Sequence, residues 1–299
     1  METSAIVTGI RERLEAILAA PQGRYRSFIV DGRPVGWIDD ARAQRLAEFA
    51  DVFVVDERQL RFVDDIVQPE VRTEAMERVA RELAGEGLLS AWRSERYAVV
   101  REFGDAPRFE LERCAARYFG IRTFAAHVNG LVRTAGDICM WLGRRSPRKA
   151  VDPGLLDNMV GGGIAAGASI QATVIKEAWE EAGVPPALAA AAQLVGAIRI
   201  CRAHARGLER ETVYVHDLWL DPDFVPEGLD GEVVEFRLET LADAARLAAN
   251  RSGNDVVTAD ASLVIADFLI RSNLIATETA DYAVLDALRR ASMEPWDNA

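Results

Sequence analysis

The stretch from Gly162 to Val184, GGIAAGASIQATVIKEAWEEAGV, constrains this chain more than any other. Its glycines permit tight turns and close approach of the backbone to another group. Ile170 to Ala182 then reads as a helix, with Ser169 as its N-cap and Gly183 as its C-terminal stop. On that helix Glu177, Glu180 and Glu181 stand at i, i+3 and i+4, which gathers three carboxylates on one face. Ile170, Val174, Ile175 and Ala178 supply apolar contacts elsewhere around it. Like charges at this spacing repel, so the cluster costs stability unless solvent, a basic partner or a cation compensates. Taken alone, E-x-x-E-E is the pattern of a solvated acidic face. The glycine-rich strand-to-helix loop ahead of it and the small-residue stop behind it turn the reading toward a metal site, and oxygen-only ligands suit Mg2+ or Mn2+.

The rest of the chain is ordinary globular material. Its 299 residues are 49% hydrophobic and 27% charged, enough for a sizeable core and more often two domains than one. Against 35 Lys plus Arg stand 47 Asp plus Glu, a formal charge of −12 that disfavours binding to a nucleic-acid backbone but leaves room for a pocket taking one small anion. Cys114, Cys139 and Cys201 lie far apart without a C-x-x-C pair, and only three histidines exist to help them, so a structural zinc site or disulfide scaffold is not expected. No apolar run approaches the roughly 18 residues of a membrane span. Arg11, Glu12, Arg13 and Glu15 interrupt the first turns at helical spacing. A soluble, cytoplasmic protein without membrane contact is expected.

Ile6, Ile10, Leu14, Ile17 and Leu18 predict an amphipathic helix over 5–19, ended by Pro21 and Gly23. Phe28–Val30 and Val35–Ile38 flank Asp31-Gly32-Arg33-Pro34 as a hairpin, and Val52–Val55 with Leu60–Val63 form a second, with a helix at Asp40–Phe49 between them. A helix at Val71–Ala84, a strand at Tyr97–Val100 and the segment Glu110–Phe119 complete a mixed α+β domain over 1–120, in which no motif demands chemistry. From Ile121 the character changes: strands at Thr123–Val132 and Ile138–Leu142 lead to a compact basic loop, Arg144-Arg145-Ser146-Pro147-Arg148-Lys149. After the acidic helix come strands at Ala192–Ile200, Thr212–Leu220 and Glu235–Leu238, then helices at Leu241–Asn250, Ala259–Ser272 and Thr279–Ala291.

The stretch resembles the Nudix box, G-x5-E-x7-R-E-U-x-E-E-x-G-U with U aliphatic. Gly162 takes the first glycine, Glu177 the glutamate after the basic position, Ala178 the aliphatic, Glu180 and Glu181 the paired glutamates, Gly183 the last glycine and Val184 the final aliphatic. Two positions depart. Ala168 stands where a glutamate is usual, so either the metal is held more weakly or another acid substitutes; Lys176 replaces arginine and keeps the charge without the planar fork. The runs RRSPRKAVDPGLLDNMVGGGIAAG, KEAWEEAGVP, HVNGLV, DGEVVEF and ADFLIRSNLI extend the resemblance to the Nudix subfamily associated with thiamine pyrophosphokinase-like proteins, over about residues 25–290.

That resemblance implies an α/β/α sandwich over 121–299, following the α+β domain. It implies a Mg2+- or Mn2+-dependent hydrolase that cuts the phosphoanhydride of a small organic diphosphate, with thiamine diphosphate or its damaged analogues as the substrate class. Glu177, Glu180 and Glu181 become metal ligands, with one glutamate also serving as base. Glu232, in Asp230-Gly231-Glu232, sits where related hydrolases place a further catalytic acid, and a polar turn is the competing account. For the substrate's phosphates, Arg144, Arg145, Arg148 and Lys149 lie just ahead of Gly162 and Gly163, against the alternative of a solvated basic loop. His127 and His216 fit structural roles in strands better than ligand roles, and Trp141 and Trp179 fit core packing better than ring stacking. A nucleoside-diphosphate-sugar or ADP-ribose hydrolase and a ligand sensor without turnover remain open, as does a homodimer. Residues 1–120 are placed to cap the cleft and help choose the substrate.

Overall fold

The computed structural model describes residues 2–275 and 281–290. The apolar periodicity of the first residues produces helix α1 (Glu2–Ile17), and a turn at Asp31-Gly32 closes the hairpin of β1 (Tyr25–Val30) and β2 (Arg33–Asp39). Asp39 caps helix α2 (Asp40–Leu46), its carboxylate accepting the Arg42 backbone N–H at 2.9 Å. Strands β3 (Phe53–Val55) and β4 (Gln59–Phe62) extend the hairpin into a four-stranded sheet of order β2-β1-β4-β3, with β1 and β4 parallel. Helix α3 (Pro69–Gly85) opens on a proline, where a missing N–H breaks no helical bond, and buries Met76, Val79, Ala80 and Leu83. A ribbon of β5 (Arg96–Val99) and β6 (Phe109–Glu112) and a 3-10 turn at Arg113–Ala115 finish this part. Its core is rich in rings: Phe28, Phe53, Phe62, Phe109 and Phe119 pack with centroids 5.3 to 6.3 Å apart.

The second part is built on β7 (Arg122–Arg133), β8 (Ile138–Arg145), β9 (Leu156–Asn158), β10 (Val160–Gly163), β11 (Gln193–His204), β12 (Gly207–Leu220) and β13 (Val233–Thr240). These form one sheet of order β11-β12-β7-β8-β13, with β10 added to β7 and β9 to β8. One edge of β7 runs parallel to β12; the other is divided, Ala125–Val128 pairing with β10 and Gly130–Arg133 with β8. Helices α4 (Ile170–Ala182) and α5 (Pro186–Ala189) cover one face of the sheet, while α6 (Leu241–Ala249), α7 (Ala259–Arg271) and α8 (Tyr282–Arg290) cover the other. The result is an α/β/α sandwich joined to a mixed α/β part, the fold class that the sequence predicts.

Several details differ from the expectations. Helix α1 lies early in the chain but packs with the later core, where Val7, Ile10, Leu14 and Ile17 meet Leu241, Ala245 and Leu263. Its apolar stripe signalled burial without saying against what. The basic run is not all loop, since Arg144 and Arg145 continue β8. Pro186–Ala189 form the short α5, where the sequence predicts no element. Of the helix predicted at 279–291, Thr279, Ala280 and Ala291 lie outside the described residues. No helix among the described residues is long and apolar enough to cross a membrane.

Candidate active site

Helix α4 starts where Ser169 Oγ accepts the Ala172 N–H at 3.1 Å and stops where Gly183 enters the left-handed region at φ 63°. Its buried stripe is Thr173, Val174, Ala178 and Ala182, and Glu181 falls in phase with it. The three carboxylates therefore sit at three depths: the Glu180 side chain is 40% exposed, Glu177 16% and Glu181 5%. Gly162 on β10 makes room for Glu177, because a Cβ there would lie 2.4 Å from Glu177 Cγ.

Lysines hold these acids in pairs. The Lys176 ammonium donates to Glu177 Oε1 at 2.9 Å and to Glu180 Oε2 at 2.8 Å. Lys149 reaches Glu181 Oε1 at 3.5 Å and forms a close ion pair with Glu232. The remaining Glu181 oxygen, Oε2, accepts the Gly161 N–H at 2.9 Å. Burial pushes the Glu181 carboxyl up to about 7, against the opposing pull of Lys149 and Gly161. Burial likewise raises Glu177, with Lys176 opposing. Burial also acts upward on Glu232, but the hydrogen bond and charge of Lys149, with Arg93, outweigh it and leave that carboxyl below its ordinary value.

Carboxylate oxygens whose charge two lysines do not fully offset are the donor type that a hard divalent cation requires, so Glu177, Glu180 and Glu181 have the right chemistry, although their ligand oxygens do not all lie within 4.8 Å of one another. The acids with ligand oxygens within 4.8 Å of one another among the described residues are different ones: Glu209, Glu211 and Asp260. Glu209 pairs with Arg117 and Arg202, Glu211 accepts the Thr123 hydroxyl at 2.9 Å, and Asp260 faces Arg202 at 3.7 Å. Protein cations thus compensate Glu209, the buried member of that group.

Gly161, Gly162, Gly163, Glu177, Glu180 and Glu232 line one cleft of about 470 Å³. A cavity of about 620 Å³ between α1 and the start of α7 contains none of them. The basic run divides. Arg145 lines the cleft with Lys149 and bonds Asp157 Oδ2 at 2.7 Å. Arg144 corrects the expectation: successive strand residues face opposite ways, and it turns to Glu235 at 2.6 Å, Asp255 at 2.5 Å and the Gly154 and Asn254 carbonyls. Arg148 is exposed and does not line the cleft either. His127 bonds Asn158 Oδ1 at 2.9 Å through Nδ1, and His216 Nδ1 lies 3.2 Å from the Tyr214 carbonyl. Trp141 is buried, whereas Trp179 is exposed, contrary to the expectation of core packing.

Sequence reasoning missed the opposite wall. Arg93, Tyr97, Arg113 and Arg117 reach the same cleft from the first part of the chain. They form no motif, and long-range contacts bring them there, among them the Ala166 N–H bonding the Arg96 carbonyl and the Leu208 N–H bonding the Arg117 carbonyl.

Residues 11–123 match a family described as a domain of unknown function (DUF4743), and residues 123–260 match the NUDIX domain. The chain is 34% identical to Nudix hydrolase 24, chloroplastic, of Arabidopsis thaliana, covering 97% of this chain and 79% of that protein. It is 35% identical to Nudix hydrolase 20, chloroplastic, of the same organism, covering 96% and 78%. An uncharacterized protein of Saccharomyces cerevisiae is 29% identical, over 86% of this chain and 80% of that one. Both plant relatives carry a chloroplastic designation, which overturns the expectation of a cytoplasmic protein. Net charge and hydropathy do not encode an organellar address.

Proposed function

Because the chain belongs to the Nudix hydrolases, which act on phosphoanhydride bonds of diphosphate-containing substrates and generally use divalent metal ions, we propose that its cleft cuts a small organic diphosphate with Mg2+ or Mn2+, and that thiamine diphosphate or a damaged analogue is the substrate. The observation that carries this reading is the meeting of Glu177, Glu180 and Glu232 with Lys149, Arg145 and the Gly161–Gly163 backbone in one cleft, with Glu181 buried behind it and accepting the Gly161 N–H. Glu177, Glu180 and Glu181 would hold the cation. When bound, the ion offsets the charge of phosphate oxygens and makes water a better nucleophile.

The chain's own groups do the rest. Lys149 and Arg145 present positive charge to the phosphates, and the glycine backbone of β10 lets a diphosphate approach without a side chain intervening. One of the α4 glutamates would also take the proton of the attacking water. Glu232, held ionised by Lys149, supplies the acid that the box lacks at Ala168. The thiamine assignment rests on the resemblance of the sequence runs. It also agrees with a cleft wall that offers Glu211 and Asp260 to a cationic ring. Residues 1–120 serve as the recognition part and 121–299 as the hydrolytic part, with α1 packed into the latter.

The test is release of phosphate or monophosphate from a panel of thiamine diphosphate, ADP-ribose and a nucleotide sugar, with Mg2+ and with chelator. Turnover of thiamine diphosphate that chelation abolishes is expected, and Glu180→Gln or Glu181→Gln should lower it about 100-fold. Unchanged rates in both variants defeat the assignment, and ligand binding without turnover favours a sensor.

A further inference from the structure

The wall facing helix α4 is built by the loop around 90–94, by β5 and by residues 113–117, and its arginines differ in how they are engaged. Arg113 donates to Glu95 at 2.6 Å and lies over the Tyr97 ring, and Arg117 pairs with buried Glu209. Arg93 has one acidic side-chain partner among the described residues: Glu232, at 3.3 Å across the cleft. The Arg93 side chain is 46% exposed, so this contact is weak and open to exchange.

The loop carrying Arg93 is nonetheless fixed. Buried Glu112 accepts the Arg93 backbone N–H at 3.0 Å. Ala91 at φ 63° and Ser94 at φ 56° flank it in the left-handed region, a costly conformation for residues with a Cβ. Strand β5 is fastened to the box loop by the Ala166 N–H bonding the Arg96 carbonyl at 2.8 Å. The Tyr97 hydroxyl fills the space over Gly163, where a Cβ would come within 2.0 Å of it. A rigid, strained loop thus holds a half-exposed guanidinium against the carboxylate that shares Lys149 with Glu181.

We propose that Arg93 is a substrate-binding residue contributed by the N-terminal part, and that it exchanges Glu232 for the non-bridging oxygens of the substrate's diphosphate. The inference rests on the diphosphate reading of the cleft. A guanidinium presents a planar fork of donors matched to phosphate oxygens. A diphosphate entering between Arg93 and Glu232 would meet Arg93 on one side and Lys149 on the other. The hydrolytic part would then hold only one wall of its own site.

The experiment uses the full-length chain and its Arg93→Gln and Arg93→Lys variants. It measures the affinity for methylenediphosphonate with Mg2+, steady-state kinetics on thiamine diphosphate, and melting temperature. Arg93→Gln should weaken probe binding and raise KM about tenfold or more, with a larger effect on KM than on kcat and an unchanged melting temperature. Arg93→Lys should recover part of the loss. Unchanged probe affinity in Arg93→Gln overturns the proposal, and so does a lower melting temperature with affinity intact, which would make the contact a fastening between parts. Wild-type protein that binds the probe through Arg93 yet hydrolyses no diphosphate would uphold the proposal while refuting the hydrolytic reading.

Discussion

Glu177, Glu180 and Glu181 share a residue type and a helix but not an environment. Glu181 lies under α4 because it is in phase with Val174, Ala178 and Ala182, and its burial raises its proton affinity. Glu177 lies back against β10 only because position 162 lacks a Cβ. Gly162→Ala should therefore displace Glu177, lowering activity and divalent-metal affinity by about tenfold, with little change in melting temperature. Activity and metal affinity equal to wild type would show that Glu177 does not need that position. The three glutamates could be read from the sequence because they are neighbours along one helix, whose cap and stop are also local. Arg93 could not, because its role depends on a loop meeting Glu232 from 139 positions away in the chain.

Strand periodicity explains the basic run and its limits. Arg144 and Arg145 are adjacent in β8, so one turns to Glu235 and Asp255 while the other enters the cleft. Treating the run as a loop erased that alternation. The β1–β2 hairpin was readable from Asp31-Gly32, but the added task of Asp31 was not: at φ 50° its carboxylate takes Arg72 Nη2 at 2.6 Å and also pairs with Arg108. The Arg72 hydrogen bond, with Arg108 helping, holds Asp31 below the usual carboxylate range. A folded-state value depressed in this way stabilises the fold above the unfolded value near 4. That contribution is lost as pH falls through the folded value. Asparagine tolerates the left-handed region, so Asp31→Asn isolates the charge. The variant should be less stable by up to about 1 kcal/mol at pH 7, partial exposure limiting the effect. Urea unfolding at pH 7 and pH 3 should show that gap shrinking with acid, and a gap independent of pH would rule out the ion pair as its source.

Two parts of the chain build one working unit. Helix α1 leaves the N-terminal core and completes the helical layer behind the large sheet, where Leu14 is fully buried. Buried Glu209 on β12 binds Arg117 from the first part and Arg202 from the second, and the Leu208 N–H bonds the Arg117 carbonyl at 2.9 Å. The α/β/α sandwich was accessible from the box and the spacing of its strands, whereas the composite cleft depends on long-range docking that no local pattern records. The central claim is that the α4 glutamates, rather than the tighter group of Glu209, Glu211 and Asp260, hold the working cation. Manganese titration followed by electron paramagnetic resonance, on wild-type protein and on Glu180→Gln and Glu181→Gln, tests it most directly. The account predicts that each variant loses bound manganese in step with its diphosphate hydrolysis; manganese binding undiminished in both variants would contradict it.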